Sequence, residues 1–110
     1  MNYRHAFHAG NFADVFKHVL VSRILAYLSR KETPFRYIDT HAGVGRYDLS
    51  GDEAQRTQEW RGGVGRVLNS DIVTQIRQLL TPWLMAIGER NEEGMPLSYP
   101  GSPALAQYML

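Results

Sequence analysis

The 110-residue sequence predicts an α/β fold that is incomplete within this length. Three observations predict it. Apolar residues recur with helical spacing after Asn11, a short aromatic and β-branched run follows Pro34, and two glycines sit where that run ends.

Asn11 can cap the first helix, because its side-chain oxygen can satisfy an early backbone N–H. Asp14 falls in the first turn, where the helix dipole favours a carboxylate. Phe12, Val15, Phe16, Val19, Leu20 and Ile24 predict one buried face on a helix that ends at about Ser29, ahead of Pro34. Phe35-Arg-Tyr-Ile-Asp39 reads as a strand, and Thr40-His-Ala-Gly-Val-Gly-Arg46 as a loop. Residues 52–68 are ambiguous, since Gly62, Gly63 and Gly65 weaken an otherwise plausible helix. Ser70 can cap a helix through Ile72, Val73, Ile76, Leu79 and Leu80. Thr81-Pro82 reads as a fresh start, with Pro82 at the first helical position and Gly88 closing the segment. Residues 89–98 form a polar loop. In Tyr99-Pro-Gly-Ser-Pro103, Ser102 can cap and Pro103 can open a last helix. That helix carries Leu105, Tyr108, Met109 and Leu110 with no C-cap, and one strand makes no sheet. The expectation is a fragment whose core is completed by a later part of the same protein.

Composition narrows the class. Apolar residues make up 44% and charged residues 21%, a balance that suits a globular domain. No apolar run approaches the ~18 residues of a spanning helix, so no membrane association is expected. Met-Asn-Tyr-Arg-His lacks the apolar core of a signal peptide, so export by that route is not expected. The absence of cysteine excludes disulfides, thiolate metal sites and cysteine nucleophiles, and fits a cytoplasmic protein. Residues 1–31 set Arg4, Lys17, Arg23, Arg30 and Lys31 against Asp14 alone, and a basic front end suits a polyanionic partner.

Three segments carry chemistry. Asp39-Thr-His-Ala-Gly43-Val-Gly45 delivers an acidic residue at a strand end and then turns on glycines, where a bulky ligand can approach the backbone. It fits a dinucleotide poorly, because the third glycine of that fingerprint would fall at Asp48, and it lacks the Gly-Lys-Ser/Thr of a P-loop. His5-Ala-Phe-His8-Ala-Gly-Asn11 runs into Asp14, Lys17 and His18, with Asp14 and His18 on one helix face. Ser102, at a helix start, places a hydroxyl beside free backbone N–H groups that can hold a carboxylate.

Taken together, Tyr3-Arg-His-Ala-Phe-His-Ala-Gly-Asn-Phe-Ala-Asp-Val-Phe-Lys-His18, Tyr37-Ile-Asp-Thr-His-Ala-Gly-Val-Gly-Arg-Tyr47 and Tyr99-Pro-Gly-Ser-Pro103 resemble the front end of the bacterial ribosomal RNA large-subunit methyltransferase J family. The resemblance spans the chain, is strong in these blocks, and is weak across residues 60–96. It implies a Rossmann-like, S-adenosylmethionine-dependent methyltransferase fold with an inserted helical subdomain. The boundaries it implies are 1–49 for the first part of the methyltransferase domain, 50–97 for the insertion, and 98–110 for the return. The implied reaction is methylation of N6 of an adenine in 23S rRNA. Lys17, His18, His41, Gly43 and Ser102 would bind S-adenosylmethionine, and Tyr3 would touch the RNA, by stacking on a base. The family's Asp-Pro-Pro-Tyr motif does not occur in these residues, and Asp39, followed by Thr40, cannot replace it. No catalytic residue and no metal ligand is therefore assigned, and this stretch alone is expected to be inactive.

Two other readings stand beside this one. A metal-dependent hydrolase would use His5, His8, Asp14, His18 and His41. A non-enzymatic RNA-binding module would use the basic front end alone.

Overall fold

The structure, a computed structural model, describes residues 3–110. It mixes helix and strand. Five α-helices are present among these residues: α1 (Phe12–Ser29), α2 (Asp52–Thr57), α3 (Val64–Leu68), α4 (Thr74–Ile87) and α5 (Ser102–Met109). Two short strands, β1 (Arg46–Asp48) and β2 (Ser98–Pro100), pair antiparallel with Tyr47 opposite Tyr99. No helix among the described residues is long and apolar enough to cross a membrane.

The first helix starts and stops where its sequence directs. The Asn11 side chain accepts the Asp14 N–H at 2.9 Å, which satisfies one of the orphan donors of the first turn. The helix packs on α4 and α5. Its inward face is Asp14, His18, Ser22 and Leu25, with Val15 and Val19 packed at the side. The expected buried stripe lies elsewhere: Phe12, Phe16, Leu20 and Ile24 are 76%, 68%, 48% and 57% exposed. Apolar residues occupy two sides of this helix, and periodicity does not say which side meets the core. The polar pocket groups take the inner side.

The expected strand at Phe35–Asp39 is not formed. The segment has no partner strand among the described residues, and Ile38 is 74% exposed. Without a neighbouring ladder its β-prone residues have nothing to pair with. The sheet forms from two runs not expected as strands, Arg46–Asp48 and Ser98–Pro100. Their pairing brings the two ends of the 50–97 segment together.

The middle segment also differs from the reading by local signals. Residues 52–68 resolve into α2, a 3₁₀ turn (Glu59–Gly62) and α3. The Ser70 hydroxyl donates to the Arg66 carbonyl at 2.6 Å, so it closes α3 and does not cap α4. The two helices expected on either side of Pro82 are one, with Pro82 inside α4. Trp83, Ala86 and Ile87 beyond the proline are buried, and this packing outweighs the backbone hydrogen bond that proline cannot make. Gly88 ends the helix at φ +80°, as expected of a glycine there. Ser102 is the first residue of α5, not its cap; Gly101 holds that position, and Pro103 lies in the first turn.

The core joins Tyr47, Leu49, Trp60, Val64, Trp83, Ile87 and Tyr99, so both strands and the middle segment share it. The contact of the N-terminal segment with α3 depends on glycine. The Val64 N–H donates to the Gly10 carbonyl at 2.9 Å, and a Cβ on Gly63 would collide with the backbone of Gly10 and Asn11. At Gly62 nothing lies within 4 Å of the same atom. Gly63→Ala should therefore lose at least about 1–3 kcal/mol of stability, while Gly62→Ala stays close to wild type. Urea unfolding of the two variants checks this; equal midpoints would overturn the close backbone approach.

Candidate functional site

One cavity of about 1090 Å³ opens between the N-terminal segment, α1, the Gly43 loop and the start of α5. Tyr3, Lys17, His18, His41, Gly43 and Ser102 all line it, so the structure brings together every site residue expected from the sequence. Arg4, His5, Asp14 and Tyr47 line it as well.

The loop wall is set by close packing. Gly43 has φ +67°, and a Cβ there would lie 2.5 Å from the Tyr47 hydroxyl, so only glycine fits without strain. The Tyr47 hydroxyl accepts the Val44 N–H at 3.3 Å, and the Gly101 N–H donates to the Gly45 carbonyl at 2.9 Å. The loop is thereby fastened to both strands' ends. His41 is exposed on this wall, where its ring Nδ1 lies 2.8 Å from the Thr40 hydroxyl. Asp39 accepts the His41 N–H at 3.0 Å and the Tyr37 hydroxyl at 2.9 Å. Partial burial opposes its ionisation, but those two bonds, the Lys17 charge and the Ser102 hydroxyl hold its carboxyl below the usual range.

The floor is the buried histidine of α1. His18 is 2% exposed; its Nδ1 lies 2.8 Å from the Tyr99 hydroxyl and its Nε2 3.1 Å from the Ser102 hydroxyl. Burial lowers its pKa to about 4, against the pull of Asp14. The ring is neutral at pH 7.

The rim is the N-terminal segment, laid down by a short 3₁₀ turn at His5–Phe7. Buried Asp14 accepts from His5 Nε2 at 2.6 Å and from the Gly10 N–H at 2.9 Å. Burial opposes the charge on Asp14, but these bonds keep it ionised, with its pKa below the ordinary value. His5 Nδ1 lies 2.5 Å from the Tyr3 hydroxyl, and the Tyr3 ring stacks on His8 at 5.4 Å and 7°. His8 in turn meets Glu59 at 3.0 Å, and Arg4 meets Glu53 at 3.3 Å. Tyr3 is itself largely exposed.

The histidines serve separate partners: His5 meets Tyr3 and Asp14, His8 meets Glu59, His18 meets Tyr99 and Ser102, and His41 meets Thr40. No group of three or more His, Asp or Glu side chains among the described residues is arranged to hold a metal ion. The hydrolase reading therefore has no geometry behind it. Sequence reasoning missed the roles of Tyr47, Tyr99 and Trp83. Tyr99 could have been flagged as a tyrosine three residues ahead of the site serine, whereas nothing in the sequence marks Trp83.

Comparison with known proteins identifies the family. The family model for "Ribosomal RNA large subunit methyltransferase D, RlmJ" matches residues 32–110. A ribosomal RNA large subunit methyltransferase J from Escherichia coli is 42% identical over the whole chain, and one from Haemophilus influenzae 41%. The chain spans 38% of the length of each. A crystal structure of a Legionella pneumophila protein superposes with a TM-score of 0.75 at 37% identity, over 94% of this chain and 36% of that one. The class of protein this chain is similar to over its whole length is thus that of the ribosomal RNA large subunit methyltransferases. The chain belongs to the family of ribosomal RNA large subunit methyltransferase D, RlmJ.

The His18 environment sets a pH dependence. In the unfolded chain the ring takes a proton near pH 6.5, whereas in the folded chain it resists until about 4. The unfolded state then binds more protons below 6.5, so stability is full above that pH and falls as the pH drops towards 4. The loss across this window should be about 3 kcal/mol. Unfolding measured between pH 7 and 4 checks this. His18→Gln should remove that part of the slope whatever its own baseline; an unchanged slope would assign it to another group.

Proposed function

We propose that this chain forms the cofactor-binding side of an S-adenosylmethionine-dependent methyltransferase acting on N6 of an adenine in 23S rRNA. The observation that carries the proposal is the single cavity shared by Tyr3, Lys17, His18, His41, Gly43 and Ser102. Its volume of about 1090 Å³ lies just above the range for small-molecule sites, roughly 300–1,000 Å³.

The residues present fit such a cofactor. Gly43 keeps one wall free of side chain, Ser102 offers a hydroxyl beside the free N–H groups of α5, and Lys17 adds a cation. When bound, S-adenosylmethionine supplies an electrophilic methyl group on a sulfonium. The chain's own residues hold and orient. Asp14 fixes His5, His5 and His8 fix Tyr3, and Tyr3 presents an exposed ring at the rim on which a base can stack. The Asp-Pro-Pro-Tyr motif that grips the target amino group in the family is not among these residues. Methyl transfer is therefore assigned to the longer protein of which this chain matches a part. Residues 50–97 are read as a helical insertion into a Rossmann-like domain, supported by the β1–β2 pairing that joins the segment's ends.

The test uses a chimera in which this chain replaces the matching 110 residues of the Escherichia coli relative. His41→Ala should weaken S-adenosylhomocysteine binding by calorimetry while leaving the melting temperature of the ligand-free protein nearly unchanged. Tyr3→Ala should cost roughly 1–3 kcal/mol of RNA-dependent transition-state binding in single-turnover methylation, with cofactor affinity unmoved. A chimera that binds no S-adenosylhomocysteine would sink the cofactor assignment. Normal methylation by Tyr3→Ala would remove Tyr3 from the RNA contact.

A further inference from the structure

A buried line of hydrogen bonds runs from α4 to the cavity. Trp83 Nε1 lies 3.2 Å from the Tyr99 hydroxyl, that hydroxyl lies 2.8 Å from His18 Nδ1, and His18 Nε2 lies 3.1 Å from the Ser102 hydroxyl. Trp83 and Tyr99 are fully buried, and His18 and Ser102 are each 2% exposed, so water does not complete the accounting.

The direction of each bond follows from the donors available. An indole nitrogen can only donate, so the Tyr99 oxygen accepts from Trp83. Burial raises the Tyr99 pKa, so its hydroxyl keeps its hydrogen. The neutral His18 ring has one N–H and one lone pair. If Nδ1 carried the proton, the Tyr99 oxygen would accept twice and its own hydrogen would have no acceptor in a fully buried position. If Nε2 carries it, Tyr99 donates to Nδ1, His18 donates to Ser102, and every polar atom in the line is satisfied. Ser102 then has its own hydrogen to give. Without a ligand that hydrogen serves Asp39, whose carboxyl it helps to keep ionised, and an acceptor on a bound ligand takes it in Asp39's place.

We propose that Tyr99 is a positioning residue of this cavity: oriented by Trp83, its hydroxyl fixes His18 in the Nε2–H tautomer, and His18 makes Ser102 a donor towards acceptor groups of the bound ligand. The proposal rests on the cofactor reading for the ligand and on the geometry alone for the tautomer. It assigns the middle segment a part in the site, because Trp83 on α4 sets the first bond of the line.

Long-range ¹H–¹⁵N correlation spectra of the His18 ring at pH 7 test it without any substitution. The expected result is a protonated Nε2 and an unprotonated Nδ1 in a single tautomer. A protonated Nδ1, or a mixture of the two forms, would overturn the proposal. Tyr99→Phe should convert the single tautomer into a mixture and lower S-adenosylhomocysteine affinity about tenfold. Trp83→Phe should move both readouts in the same direction by less. Wild-type tautomer and affinity in Tyr99→Phe would overturn the positioning role. Failure of the wild-type protein to bind S-adenosylhomocysteine would strike the cofactor reading instead, and the tautomer spectrum would still decide the line of bonds. Should Tyr99→Phe not fold, the wild-type spectrum decides alone.

Discussion

The His18 ring holds the two ends of this chain together. It is an imidazole on the first helix, satisfied only by hydroxyls 81 and 84 residues later. A buried imidazole without those partners would leave polar atoms unpaired in the interior. The bonds therefore fix how α1 meets β2 and α5, and that in turn fixes the cavity floor. The β1–β2 pairing and the Gly101–Gly45 bond lie on the same seam. The wall, the floor and the start of α5 are joined by these bonds.

The rim is built on a different principle. There the groups are charged or chargeable and only partly buried: His5 with Asp14, His8 with Glu59, Arg4 with Glu53. Partly exposed pairs of this kind contribute little to global stability. Only Asp14 is deeply buried, and it ties the rim to the helix beneath it. A firm floor with a lightly held rim suits a site whose deep part grips one ligand while its mouth admits a larger one.

The residues that line the cavity were more legible in the sequence than the fold was. Tyr3, Lys17, His18, His41, Gly43 and Ser102 stand in compact blocks, and such blocks stay readable whatever the surrounding packing does. The first helix was legible in extent, its start because Asn11 and Asp14 act locally and its end at about Ser29 because Pro34 follows. Its orientation was not, since apolar side chains lie on two sides of it. Pro82 was read as a boundary because proline's local cost is plain, whereas the burial of Trp83 and Ile87 that outweighs it is tertiary. The strand at 35–39 had the composition of a strand but no partner among these residues, and β1 and β2 exist through mutual pairing that neither announces alone. Ser102 was placed at the right end of the right helix for the wrong immediate reason. Its hydroxyl serves His18 and not the helix cap.

The distance along the chain between His18 and its partners has a consequence for synthesis. A ribosome adding roughly 5–20 residues per second needs about 4 to 17 seconds to pass from residue 18 to residue 102. Through most of that interval the first helix has been made, but neither hydroxyl that neutral His18 requires exists. The ring then meets water and titrates as an ordinary imidazole, and Leu25 on the same helix face has no core to enter. The cavity thus cannot assemble in the order in which its residues are translated. Its first-made wall waits for its last, and a pause before residue 99 would lengthen the time for which that helix face stays unpaired.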